Sequence, residues 1–211
     1  MRLLRAAPQN DPDAMAFMRG LTFPGGQQPV IRGREVYLRY PRAADHPVWA
    51  KLREESREFL APWEPSWASD ELTKGAFRRR LKRYQHDTRL DLAYAFLVFR
   101  SEDDALVGGC TLSNVRRGVS QCCALGYWVG ERFARQGYIF DAVRALAPFV
   151  FGTLGLHRIE AACLPANEPS RNLLVKAGFR QEGWAVRYLQ INGEWRDHVL
   201  FALLEDEARV G

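Results

Sequence analysis

The sequence has no CxxC and no HExxH, and neither its four cysteines (110, 122, 123, 163) nor its four histidines (46, 86, 157, 198) show metal-ligand spacing. No structural or catalytic metal is therefore expected. Adjacent Cys122 and Cys123 would point to opposite faces of a strand, and all four thiols read as small buried apolar residues. A long apolar run is missing too. An uncharged apolar stretch, Ala145 to Leu156, is broken by Pro148 and two glycines, and both it and the longer uncharged run Gly118 to Gly130 fall short of the ~20 residues that span a bilayer. The N-terminus, MRLLRAAPQNDPDAMAFMRG, mixes Arg2, Arg5 and Arg19 with Asp11 and Asp13 and lacks a signal-length apolar core. A cytoplasmic protein with no membrane association is the expectation. Neither charge sign dominates: 30 Lys and Arg against 25 Asp and Glu leave a net +5. That excess favours an anionic ligand modestly, and direct nucleic-acid binding is not expected from it. Internal repeats and low-complexity tracts are absent, which excludes solenoids and fibrous classes.

What is present is enough apolar side chain, 47% of 211 residues, for one well-filled core. The breaker-rich segment TFPGGQQP, Thr22 to Pro29, separates a loosely ordered extension (1–30) from a domain expected over 31–205, with a short tail at 206–211. Arg34 to Tyr40 alternates as a strand and Pro41 ends it. Asp45 is placed to cap a helix through Trp49, Leu52 and Ser56, and Ser69 a second one with Phe77, Leu81 and Tyr84 on one face. Arg78 to Arg83 then form a solvated basic face. Three strands follow, at 93–100, 106–112 and 122–129, as an antiparallel meander. Helical period returns from Ile139, and Pro148 should kink or end that helix near Ala147. A strand at 157–164, a compact helix at 167–177 closed by Gly178, and two strands (184–191 and 198–204) joined by Asn192-Gly193 complete the pattern. The fold class is α/β of the α+β type: one domain, a mostly antiparallel mixed sheet of about seven strands and about four helices. Its single parallel pair, 122–129 with 157–164 across the crossover helix, marks the place for a ligand.

Ala134-Arg135-Gln136-Gly137 lies between an apolar strand and an apolar helix. A helix N-terminus leaves its first amides unpaired and carries partial positive charge, so the loop through Arg135, Gln136, Gly137 and Tyr138 suits a pyrophosphate.

With those residues in place the chain resembles the GNAT acetyltransferases, whose acyl-CoA loop reads Q/R-x-x-G-x-G/A. Here the six positions are Ala134 to Ile139. The central Gly137 matches, whereas Ala134 and Ile139 depart from the pattern. The segments LGYWVGERFARQGYIFDAV, GLHRIEAACLPANEPSRNLLVKAGFRQEG and YLQINGEWRDHVLF, together with VYLRYPRAADHPVW and FLAPWEPSW, resemble the branch that acetylates N-terminal alanines of ribosomal proteins. The likeness covers roughly 31–205.

The resemblance implies acetyl-CoA as cosubstrate, held by the backbone of Tyr127, Trp128 and Val129 where the parallel pair splays, and by Arg135 to Phe140 at the loop and first helical turn. It assigns Asn167 to the cofactor arm and Ser170 to the thioester sulfur, as proton donor to the departing thiolate. The amide of Val129 would stabilise the carbonyl oxygen. The Glu base that some relatives carry has no counterpart in Arg187-Tyr188-Leu189-Gln190. Trp63, Glu64 and Trp67 are candidates for the acceptor side, with Glu64 orienting the amine or relaying its proton. The acceptor implied is a protein N-terminus, possibly ribosomal. A small amine is the alternative, and a non-catalytic CoA-binding module on the ribosome or RNA is the second. Monomer and homodimer both stay open.

Overall fold

The computed structural model describes residues 29–208. The extension expected over 1–30 therefore lies outside the described residues, save its last two. Eight strands form one sheet: β1 (Val30–Arg32), β2 (Val36–Arg39), β3 (Tyr94–Arg100), β4 (Leu106–Arg116), β5 (Cys122–Val129), β6 (Arg158–Cys163), β7 (Arg180–Ile191) and β8 (Glu194–Leu204). Their order is β1-β2-β3-β4-β5-β6-β8-β7. Every pairing is antiparallel except β5 with β6. The eighth strand arises because the first predicted one is preceded by a hairpin. Gly33 N–H bonds the Val36 carbonyl at 2.8 Å and folds Val30–Arg32 back onto β2.

Among the described residues six α-helices accompany the sheet: α1 (His46–Glu55), α2 (Arg57–Leu60), α3 (Lys74–Arg89), α4 (Tyr138–Pro148), α5 (Glu168–Lys176) and α6 (Glu205–Ala208). The last of these occupies the start of the expected tail. Two caps differ from expectation. Asp45 precedes α1 but makes no side-chain cap bond; its carboxylate instead accepts from the Arg42 amide and the Arg39 guanidinium. Thr73, not Ser69, caps α3, its hydroxyl accepting from the Ala76 amide at 3.2 Å. The intervening Asp70 and Glu71 pair with Arg79 and Arg80, so the basic face of α3 is partly neutralised by the turn before it.

Pro148 ends α4 because it offers no amide to the Arg144 carbonyl. The chain continues as a π turn over Phe149–Thr153, with Leu154 N–H reaching the Phe149 carbonyl five residues back. The apolar stripe of α4 (Ile139, Ala142, Val143, Leu146 and Ala147) is buried against the sheet. One contact was not legible beforehand. The Asp141 carboxylate accepts from the amides of Arg34, Glu35 and Val36 at 3.1, 2.8 and 3.2 Å, tying the β1–β2 turn to the first turn of α4. Gly33 is required there: a Cβ would stand 2.5 Å from Asp141 Oδ2.

Candidate active site

The central parallel pair opens like a wedge. β5 and β6 pair from Cys122↔Arg158 to Leu125↔Ala161 and no further. Beyond that point β5 keeps only β4, and β6 keeps only β8. Strand alternation says which groups face the gap. Gly130 N–H bonds the Val107 carbonyl at 2.9 Å, toward β4, and the Trp128 carbonyl also crowds β4 at Gly108. Successive residues turn their polar groups to opposite sides, so the amides of Val129 and Tyr127 face the open side. Trp128 belongs to the other set, and it reaches the site through its indole rather than its backbone.

A cavity of about 820 Å³ occupies the wedge and runs from the N-terminus of α4 to the turn after α2. At one end Gly137 stands as N-cap of α4 with φ +89°, preceded by Arg135 at φ +62°. Glycine is suited to this left-handed position. The first-turn amides of α4 have no intrahelical partner and lie at the cavity wall with Tyr138, Ile139 and Phe140. Arg135 lines it and makes no ion pair among the described residues. Gln136 does not line the cavity; its side chain turns back to the Arg132 carbonyl at 2.8 Å. Lys176, in the last turn of α5, adds a second cation 4.6 Å above the Phe140 ring. No sequence spacing pointed to Lys176, because it reaches the site only through the packing of α5 beside α4.

In the middle stand Asn167 and Ser170. Asn167 Oδ1 caps α5 by accepting the Ser170 amide at 3.1 Å, which leaves its NH₂ free to donate. Ser170 Oγ lies 2.7 Å from the Tyr127 hydroxyl. Burial pushes the Tyr127 phenol well above its ordinary range, so it stays protonated. Tyr127 was singled out for its backbone; its side chain proves to be in the site as well.

The far wall carries Trp63 and Glu64. Both Glu64 oxygens accept from the buried Arg53 guanidinium at 2.7 Å, and Trp67 Nε1 donates at 2.9 Å. Arg53 lies 4.2 Å from the Trp67 ring centroid and 4.9 Å from that of Trp128. Trp67 thus stands behind Glu64 and does not line the cavity. Arg53, an apparently ordinary helix residue in sequence, organises this wall. The tip of the β7–β8 hairpin closes over it, Asn192 N–H bonding the Glu64 carbonyl at 2.9 Å. His198 of β8 lines the same cavity, although it is only 2% exposed and its Nδ1 lies 3.0 Å from the Arg196 carbonyl.

Among the described residues no three His, Cys, Asp or Glu side chains gather as a metal would require, and no helix is long and apolar enough to cross a membrane. The wedge, the helix N-terminus and two cations that make no ion pair among the described residues fit a long molecule with a diphosphate at one end and a hydrogen-bonding arm that joins a strand edge. Comparison with known proteins agrees. The family model described as an acetyltransferase (GNAT) domain matches residues 35–180. A probable N-acetyltransferase of Bacillus subtilis, YjcK, is 34% identical over 84% of this chain and 98% of its own length. The ribosomal protein uS5-alanine N-acetyltransferase of Escherichia coli is 36% identical over 75% of this chain and 83% of its own. The structure of Mycobacterium smegmatis RimJ in complex with CoA-disulfide superposes with a TM-score of 0.77 at 32% identity, covering 85% of this chain and 86% of that one.

Proposed function

Because the chain belongs to the GNAT acetyltransferase family and is an N-acetyltransferase that uses acetyl-CoA, we propose that its acceptor is the α-amine of a protein N-terminus. An N-terminal alanine of a ribosomal protein is the first candidate, since that is the acceptor named for the E. coli relative. The observation that carries this reading is the state of the acceptor wall. Among the described residues Glu64 is the one carboxylate lining the cavity, and both its oxygens are engaged by Arg53. A polyamine or aminoglycoside would be drawn by unpaired acidic groups, and this wall offers none; a peptide terminus with a single amine needs none.

Acetyl-CoA supplies an activated acyl thioester, and the chain supplies its placement. The α4 amides with Arg135 and Lys176 suit the diphosphate, the Tyr127 and Val129 backbone suits the pantetheine arm, and the Asn167 NH₂ is free to donate to it. Val129 N–H, directed into the gap, is placed to bind the developing oxyanion. Ser170 can protonate the sulfur if Tyr127 donates to Ser170 Oγ, which leaves the serine hydrogen free. With both oxygens committed, Glu64 serves to orient the acceptor rather than to relay a proton. An α-amine, with an ordinary pKa of about 7.7 to 8.0, is partly neutral at pH 7, whereas lysine near 10.4 is not.

Incubation with acetyl-CoA and peptides that differ at the first residue, beside free amines and internal lysines, tests this by mass spectrometry. Acetyl on the α-amine is expected. Transfer to free polyamines alone would replace the reading by the small-amine one.

A further inference from the structure

We infer that His198 is the base that takes the acceptor's proton, a role the cavity's other side chains leave open. The inference rests on the acetyl-transfer reading above. A backbone carbonyl can only accept, so the Arg196 carbonyl requires a proton on Nδ1 of His198. The neutral imidazole then carries its lone pair on Nε2, at the opposite edge of the ring. Tyr188 packs edge-on against that ring at 5.8 Å and holds its orientation. The ring lines the cavity and is nearly sealed from bulk solvent.

Strand alternation places it on the correct face of the sheet. Val199 pairs with Cys163 and Leu203 approaches Gly178, so the odd-numbered residues of β8 turn toward α5, the side of Ser170. His198 points to the other face. On β5 the same division holds: Tyr127 meets Ser170, while Trp128 meets Arg53, the partner of Glu64. The donor to sulfur and the imidazole therefore flank the gap from opposite faces, with the acceptor wall on the imidazole side. The ionisable groups around His198 are Tyr188 from β7, and Arg196 and Asp197 on its own strand. Asp197 is occupied by the Arg187 amide and Trp184 Nε1, and Arg196 by Glu194. Within the cavity the others are Tyr127, Tyr138, Glu64, Arg135, Lys176 and the Cys163 thiol, which burial pushes up and keeps neutral.

The step balances as follows. The amine nitrogen forms the C–N bond, and its released proton passes to Nε2 and then to water. The C–S bond breaks, and the sulfur takes the Ser170 hydroxyl proton, which water restores.

His198→Asn keeps an amide N–H for the Arg196 carbonyl and removes the basic nitrogen. With acetyl-CoA and a peptide acceptor, kcat/KM at neutral pH should fall on the order of 10²-fold. That loss should narrow as pH rises past the amine's own value of about 8, with acetyl-CoA affinity by calorimetry unchanged. A variant equal to wild type, or a loss that is the same at every pH, overturns the inference while the acetyl-transfer reading stands. Failure of the wild type to acetylate any acceptor removes both. Nitrogen-15 NMR of histidine-labelled wild-type protein decides independently of the variant's folding. The Nδ1–H tautomer is expected, and a proton on Nε2 of the neutral ring would overturn it.

Discussion

The Tyr127 hydroxyl and Ser170 Oγ lie 2.7 Å apart and join the free edge of β5 to the first turn of α5 across the wedge. One hydrogen bond thus couples the strand proposed to receive the acyl arm to the serine proposed to protonate its sulfur. If Ser170 donates to sulfur, Ser170→Ala should lower kcat on the order of 10²-fold with little change in acetyl-CoA KM. Tyr127→Phe should reproduce part of that loss, because the serine hydrogen then loses its fixed direction. Steady-state assay of released CoA thiol reads both; full activity in Tyr127→Phe would reduce the contact to packing.

Glu64 and Arg53 make the second coupling. Glu64→Gln leaves a guanidinium with 8% side-chain exposure short of its counter-charge, a change that costs about 3 kcal/mol when a buried pair is broken. Thermal melting should show it. On the proposed reading, in which Glu64 and Arg53 hold the acceptor side, acceptor KM should rise while acetyl-CoA KM stays put. A variant with unaltered kinetics and pH profile would remove Glu64 from the site.

Gly137 tests the diphosphate end. A Cβ there meets no atom within 4 Å, so Gly137→Ala costs nothing in contacts and acts only through its φ of +89°. Left-handed backbone at a non-glycine residue costs about 1 kcal/mol. Calorimetry should show acetyl-CoA binding weakened several-fold, with peptide KM unaffected. Unchanged acetyl-CoA affinity would mean that the turn holds no diphosphate.

Asp141 tests the scaffold. Removing its three amide contacts by Asp141→Ala should destabilise the fold by about 2 kcal/mol, or ~5 °C in Tm for a domain of this size. Gly33→Ala should act similarly, because its methyl would displace the same carboxylate. Equal melting temperatures in both variants and wild type would show the contact to be dispensable.

Much of the architecture was legible in the residues. Short apolar runs parted by turn-like polar stretches marked the meander, the 3.6 period from Ile139 marked α4, and Asn192-Gly193 marked the last hairpin, because each signal lies within a few residues. Pro148 ended its helix for a reason local to one amide. Caps were less secure: Thr73 displaced Ser69, since Asp70 and Glu71 were drawn into ion pairs with α3.

Sequence by itself determined most of the elements, though not β1, α2 or α6, together with the glycine turn before α4 and the Asn167–Ser170 pair, all of which depend on short-range geometry. Only the tertiary structure decided that β5 and β6 part after four residue pairs, that Arg53 neutralises Glu64, that Trp67 stands behind it, and that Lys176 and His198 reach the cavity. Apart from Trp67 and Glu64, three positions apart, those outcomes join residues 11 or more positions apart, and the packing of helices and loops on the sheet brings them together. No local spacing encodes a meeting of that kind.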